Sequence, residues 1–211
     1  MVTLNSNTRS GSRSGVRVAA LATVVAGFLG MAVVPAQAAP VQAGCRGEGV
    51  DTDALIRYQT DVMINAPLST IWHLQTDVER WPSWQAPVKT MERLDHGRLR
   101  AGSRFRWTTP APATPSTPAT TLVVTSTVRQ IENRTCILWS GPAIGEGLTI
   151  DEGVHLWTFK EVEGGVLVHT EETWTGAQVE ADIPTAMWAL GGGLEQWMRD
   201  LKTTAEAHDC D

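Results

Sequence analysis

The sequence predicts an α+β domain: a strongly curved antiparallel sheet of about seven strands around one long C-terminal helix, with two short helices after the first strand. Three observations carry this. Six strand-like segments follow one another between residues 88 and 174, most of them separated by short turn signals. The stretch from Pro184 to Ala207 carries a single apolar stripe at spacings of three and four. Short connections make the sheet antiparallel, and such a sheet and such a helix bury their apolar faces most economically against each other.

The elements follow in chain order. Arg57 to Ile64 alternates, with Tyr58, Thr60, Val62 and Ile64 on one side, and reads as a strand. Asn65-Ala66-Pro67 stops it, and Pro67 opens a helix running to Leu74. Asp77 to Trp84 reads as a second short helix broken at Pro82. Strands are then expected over Val88–Leu94, Ser103–Thr108, Thr121–Ile131, Thr135–Ser140, Val154–Val162 and Val166–Trp174. Thr109–Ala119 has too many prolines for a sheet interior and reads as an extended, mobile loop. Gly141–Gly153 lacks Lys and phosphate-loop spacing and reads as a flexible rim. In the last helix, Met187, Leu190, Leu194, Trp197, Met198 and Leu201 form the stripe. Gly191-Gly192-Gly193 interrupts it, marking a kink or a close approach to something bulky.

The N-terminal segment differs in kind. No acidic residue precedes Glu48; Arg9, Arg13 and Arg17 precede an uncharged, mostly apolar run from Val18 to Val34, and Ala36-Gln37-Ala38 offers an A-x-A site. That order reads as a secretory signal peptide over residues 1–38, followed by an arm over 39–55 and the folded domain over 56–211. The run is short and interrupted for a membrane anchor. Lipid anchoring at Cys45 is a further alternative, with Gln42 against it. Cleavage after Ala38 removes three Arg and no acid, taking the net charge from −6 to −9. A secreted or extracytoplasmic protein without a membrane span is expected, and its acidity excludes nucleic-acid binding.

In an oxidising compartment a disulfide is plausible among Cys45, Cys136 and Cys210. The expected pair is Cys45–Cys210, tying both ends together, with Cys136 free in its strand. No Cys or His pair has ligand spacing, so no metal and no cofactor are expected. Nine Trp stand beside one Tyr and three Phe, which implies a large core or an aromatic-lined cavity.

Strand parity assigns the wall. A two-residue turn at Glu163-Gly164 pairs His155 with Glu172 and Trp157 with Thr170; a turn shifted by one pairs His155 with Trp174. Either way His155, Trp157, Glu172 and Trp174 share one face, which the large aromatics make the interior. His169, Glu171 and Thr173 then face water. The preceding hairpin pairs Val128 with Trp139 and Gln130 with Ile137, and puts Ser126 on the Trp139 side. Phe105 and Trp107 point inward, with Arg104 and Arg106 outside. Trp72, Trp81 and Trp84 are assigned to core or rim. An inward imidazole and carboxylate among tryptophans form either an acid/base pair or a satisfied polar network. Ser126 with His155 and Glu172 has the residue types of a triad, but lacks a nucleophile elbow.

The chain resembles the helix-grip superfamily of birch-pollen-type allergens, START lipid-transfer domains and polyketide cyclase/dehydrase-like proteins. The resemblance rests on Ile64-Asn65-Ala66-Pro67, Trp81-Pro82, Gly102–Trp107, Trp139-Ser140-Gly141, Gly153–Phe159, Glu171–Gly176 and the Trp197-Met198 helix, spanning about residues 56 to 207. It implies a helix-grip fold with a hydrophobic ligand cavity between sheet and helix. The expected function is an exported carrier of a small hydrophobic molecule, lipid- or polyketide-like, lined by Phe105, Trp107, Ser126, Trp139, Trp157, Trp174 and Trp197. The alternative is a cofactor-independent cyclase/dehydratase-type enzyme using His155 and Glu172. A surface interaction module with a filled core is a third.

Overall fold

In the computed structural model, residues 44–115 and 117–208 are described. The predicted signal peptide and Cys210 lie outside them. After a short arm come β1 (Ile56–Ile64), α1 (Leu68–Thr76), a 3-10 turn (Val78–Arg80) and α2 (Trp81–Trp84). Then follow β2 (Thr90–Arg93), β3 (Arg104–Ala111), β4 (Thr120–Glu132), β5 (Cys136–Gly145), β6 (Leu148–Val162) and β7 (Gly165–Thr175). Two helices close the chain, α3 (Ala177–Glu180) and α4 (Ile183–His208). The seven strands form one antiparallel sheet in the order β1-β7-β6-β5-β4-β3-β2. The apolar stripe of α4 packs on its concave face.

Three elements differ from expectation for identifiable reasons. Pro82 starts α2 rather than breaking a helix, because proline in a first turn loses no hydrogen bond. β3 continues through Pro110, which pairs with Thr121. β2 ends its pairing at Thr108, so β3 is an edge at Pro110, where a missing N–H is tolerated. The expected Gly141–Gly153 rim is strand: β5 and β6 run on through it and turn at Glu146-Gly147. A register shift between Gly141 and Ala143 accommodates Pro142. A second shift, between Val128 and Gln130, keeps Val128 opposite Trp139 but moves Gln130 opposite Leu138, not Ile137.

The concave face holds two apolar clusters. One is dominated by Phe105, Trp81, Trp139, Trp157 and Trp197 under the C-terminal half of α4. The other gathers Ile56, Leu122, Ile150, Leu190 and Leu194 under its N-terminal half. Trp81 is fully buried and meets Phe105, Trp107, Trp139 and Trp197 ring to ring at 4.9–6.1 Å, which makes it the hub of the first cluster. Gln75 of α1, also buried, accepts the N–H of Trp197 on its side chain and that of Trp81 on its backbone carbonyl, each at 3.2 Å. Trp188, on the outer side of α4, is 69% exposed.

The convex face is not simply wet. Cys136, Leu138, Val154 and Leu156 form a third cluster there with Cys45 and Val50 of the arm. Cys45 is bonded to Cys136 (Cα–Cα 5.4 Å), which corrects the expected Cys45–Cys210 pair. The arm adds polar clasps: Gln130 donates to Glu48, and Arg129, at the register shift, lies 3.7 Å from the same carboxylate. Glu171 and Thr173, expected in water, are buried, with Glu171 paired to Arg57. An arm laid over one side of the sheet carries no periodicity, so strand parity alone could not reveal it.

Candidate functional site

The register aligns one inward row across five strands: Tyr58, Glu172, His155, Trp139 and Val128. His155 therefore faces Glu172, the first of the two registers the sequence allowed. The next row toward α3 is Ile56, Trp174, Gly153 and Gly141. Its two glycines leave the sheet bare beside Glu172. A Cβ on Gly153 would stand 3.3 Å from Glu172 Oε1 and 3.5 Å from the Trp174 ring, so carboxyl and indole lean over that glycine. α4 comes close from above at Gly191, where a Cβ would meet the Tyr58 ring at 2.8 Å. The tyrosine hydroxyl donates to Glu195 Oε1 at 2.5 Å.

His155 is buried between three indoles, with ring centroids 5.0 Å from Trp139, 5.1 Å from Trp157 and 5.6 Å from Trp197. Its hydrogen bonds assign its protons. Thr170 donates its hydroxyl to the Leu156 carbonyl at 3.2 Å and lies 2.8 Å from His155 Nε2. With the threonine hydrogen committed, Nε2 carries hydrogen and donates. His155 Nδ1 then faces Glu172 Oε2 at 3.1 Å with a single proton between them. Trp174 Nε1 donates to Glu172 Oε1 at 2.8 Å.

Burial decides where that proton rests. The apolar wall pulls the imidazole down to about 3 and pushes the carboxyl up to about 7, against the opposing effect of the Trp174 N–H. Between those two values the pair is a neutral imidazole accepting from a neutral carboxylic acid. Separating the charges costs more in this wall than the ion pair returns. Such a pair can give a proton at one atom and take one at another without net charge.

The remaining predicted residues divide. Trp139, Trp157 and Trp197 wall the histidine, and Trp174 orients the carboxyl. Phe105 and Trp107 belong to the aromatic cluster around Trp81. Ser126 does not join the pair. It sits on β4, two strands from His155 and roughly 10 Å away by strand spacing, and accepts from Trp107 Nε1 at 3.4 Å. The triad reading is thereby excluded. Thr170 and Gly153 are the residues sequence reasoning missed. Pairing Trp157 with Thr170 was the available signal, since that hydroxyl lies diagonally from His155.

The concave face is sealed at one end and less so at the other. Around His155 the rings pack edge to face. Past Glu172, whose side chain is 17% exposed, the inward Tyr58, Trp174, Val124 and Met187 are only half-buried. Two open clefts, of about 490 and 690 Å³, lie instead against α1 and share His73 and Asp77. Among the described residues no helix is long and apolar enough to cross a membrane, and no cluster of metal-binding side chains occurs.

A family model described as polyketide cyclase / dehydrase and lipid transport matches residues 56–206. Among solved structures, a protein from Thermus thermophilus is 15% identical with a TM-score of 0.55, over 72% of this chain and 98% of that one. A START superfamily protein from Mycobacterium smegmatis is 15% identical with a TM-score of 0.53, over 72% and 97%. The di-domain ARO/CYC StfQ from the steffimycin biosynthetic pathway is 18% identical with a TM-score of 0.51, over 72% of this chain and 45% of that one. These likenesses bear on the fold. A comparison with curated protein sequences finds no significant match.

Proposed function

The chain belongs to the polyketide cyclase / dehydrase and lipid transport family, and from that membership we propose that it is an exported carrier of a small hydrophobic molecule held against the concave face beside Glu172. The observation that carries this reading is the half-buried inward surface of Tyr58, Trp174, Val124 and Met187 next to Glu172, an inward carboxyl that solvent can reach. An apolar surface with a few placed polar groups is what small-molecule sites share. Native mass spectrometry of the exported protein, followed by extraction and identification of what co-purifies, tests it. A protein that is consistently empty, and takes up no apolar compound, overturns it.

Export is supported by the basic, apolar and A-x-A segments and by the Cys45–Cys136 bond, which suits an oxidising compartment. N-terminal sequencing of the secreted chain is expected to start at Ala39.

One observation favours a second reading, a cofactor-independent cyclase or dehydratase. The His155–Glu172 pair holds a single transferable proton next to the half-open surface. Glu172→Gln separates the two. A carrier keeps most of its affinity, whereas an acid/base enzyme loses about 100-fold or more in turnover.

A further inference from the structure

The polar inventory of the site says what kind of head group it accepts; this deepens the carrier reading and rests on it. Glu172 Oε2 is occupied by His155 Nδ1, and one lone pair of Oε1 by Trp174 Nε1. The second lone pair of Oε1 has no donor among the described residues, and it belongs to a side chain that solvent reaches. It lies over Gly153, in the row where Gly141 and Gly153 contribute no side chain. Around it the inward positions of β1, β7, β6 and β5 are Tyr, Ile, Trp, His and Gly, and α4 presents leucine, Gly191 and Met187, with Glu195 engaged by the Tyr58 hydroxyl. No Lys or Arg stands among them; Arg57 is turned to the convex side, on Glu171.

Each class of head group meets a different fate there. A carboxylate or phosphate brings negative charge to an acceptor atom and finds no cation, an uncompensated burial. Below about pH 7 an ammonium meets a pair whose net charge is zero wherever its proton sits, and the Glu195 carboxylate is taken by the Tyr58 hydroxyl and Arg199, so it too is unmatched. An ether or ester has no hydrogen for Oε1. We propose that the ligand carries an uncharged hydrogen-bond donor, a hydroxyl, which docks on Glu172 Oε1, and that this site selects apolar alcohols over the corresponding acids, amines and ethers.

The test uses the full chain with its disulfide intact. N-phenyl-1-naphthylamine, a neutral fluorescent probe, is displaced at pH 6, where the pair keeps its proton, by four compounds sharing one apolar tail: 1-dodecanol, its methyl ether, dodecanoate and dodecylammonium. Dodecanol is expected to displace the probe about tenfold more tightly than each of the other three, the usual worth of one hydrogen bond to a buried acceptor or of one unmatched buried charge. Glu172→Leu is expected to bring alcohol and ether within about threefold of each other. If that variant does not fold, the wild-type series decides alone. Binding of the ether, acid or amine at least as tight as the alcohol overturns the inference and leaves the carrier reading standing. Failure of every compound and of the probe to bind overturns the carrier reading, and this inference with it.

Discussion

Between about pH 4.5 and 6.5 the folded and unfolded chains carry the same number of protons on His155 and Glu172, but not on the same residue. Folded, the proton is on the carboxyl; unfolded, with ordinary values of 4.5 and 6.5, it is on the imidazole. The signs follow from linkage. The raised Glu172 makes a contribution fully present below 4.5 and lost as pH rises through about 7. The lowered His155 makes one fully present above 6.5 and lost as pH falls through about 3. The pair thus adds no slope from 4.5 to 6.5 and lowers stability on either side. In urea midpoints measured from pH 3 to 9, Glu172→Gln is expected to abolish the pair's decline above pH 6.5 and to replace the plateau with a decline that starts at 6.5 and runs down to about 3. An unchanged alkaline limb in the variant counts against the neutral pair. Of these residues, His155 and Glu172 were legible, because parity depends only on a period of two. Gln75 was not, and Thr170 only as the partner of Trp157. Their roles depend on a diagonal neighbour and on a helix crossing the sheet, and a single strand or helix records neither.

The three glycines of α4 are not equivalent, and their difference is measurable. Gly192 and Gly193 have open space where a Cβ would sit, so nothing offsets their helix penalty. Gly192→Ala and Gly193→Ala are each expected to stabilise the chain by about 0.5–1 kcal/mol. Gly191→Ala is expected to destabilise it, because its Cβ would press on the Tyr58 ring at 2.8 Å. Chemical denaturation of the three single variants checks the sign of each. The sequence showed that the triplet was costly and offered a close approach as one reason, but not which glycine needed it. Other elements were misjudged through the same residue types. Prolines and glycines in β3, β5 and β6 mask an alternation that continues, because a local edge tolerates Pro110 and a register shift absorbs Pro142.

Across the whole molecule, the order of elements and the antiparallel sheet were readable, since hairpin spacing and one amphipathic stripe leave little other choice. The arm was not, nor was the partner of Cys45. The terminal cysteines suggested tying the two ends together, whereas the bond runs from the arm to the convex face of β5. It closes a loop of 91 residues enclosing β1 to β4. By the chain-entropy relation such a loop is worth about 4–5 kcal/mol. Urea unfolding of the Cys45→Ser, Cys136→Ser double variant against the oxidised chain is expected to show a loss of that order. It should also release the cover over Leu138, Val154 and Leu156, seen as increased binding of a hydrophobic dye. A variant as stable as the parent would show that the polar clasps of Glu48 hold the arm unaided.

The same bond proofreads the sheet. Cys136 reaches Cys45 only because it points to the convex side, and a slip of one residue between β4 and β5 would turn it into the core. Misregistered molecules would keep two reactive thiols that correctly paired ones have consumed. Thiol counting on freshly secreted protein would then measure the fidelity of strand pairing, molecule by molecule, without any knowledge of the ligand.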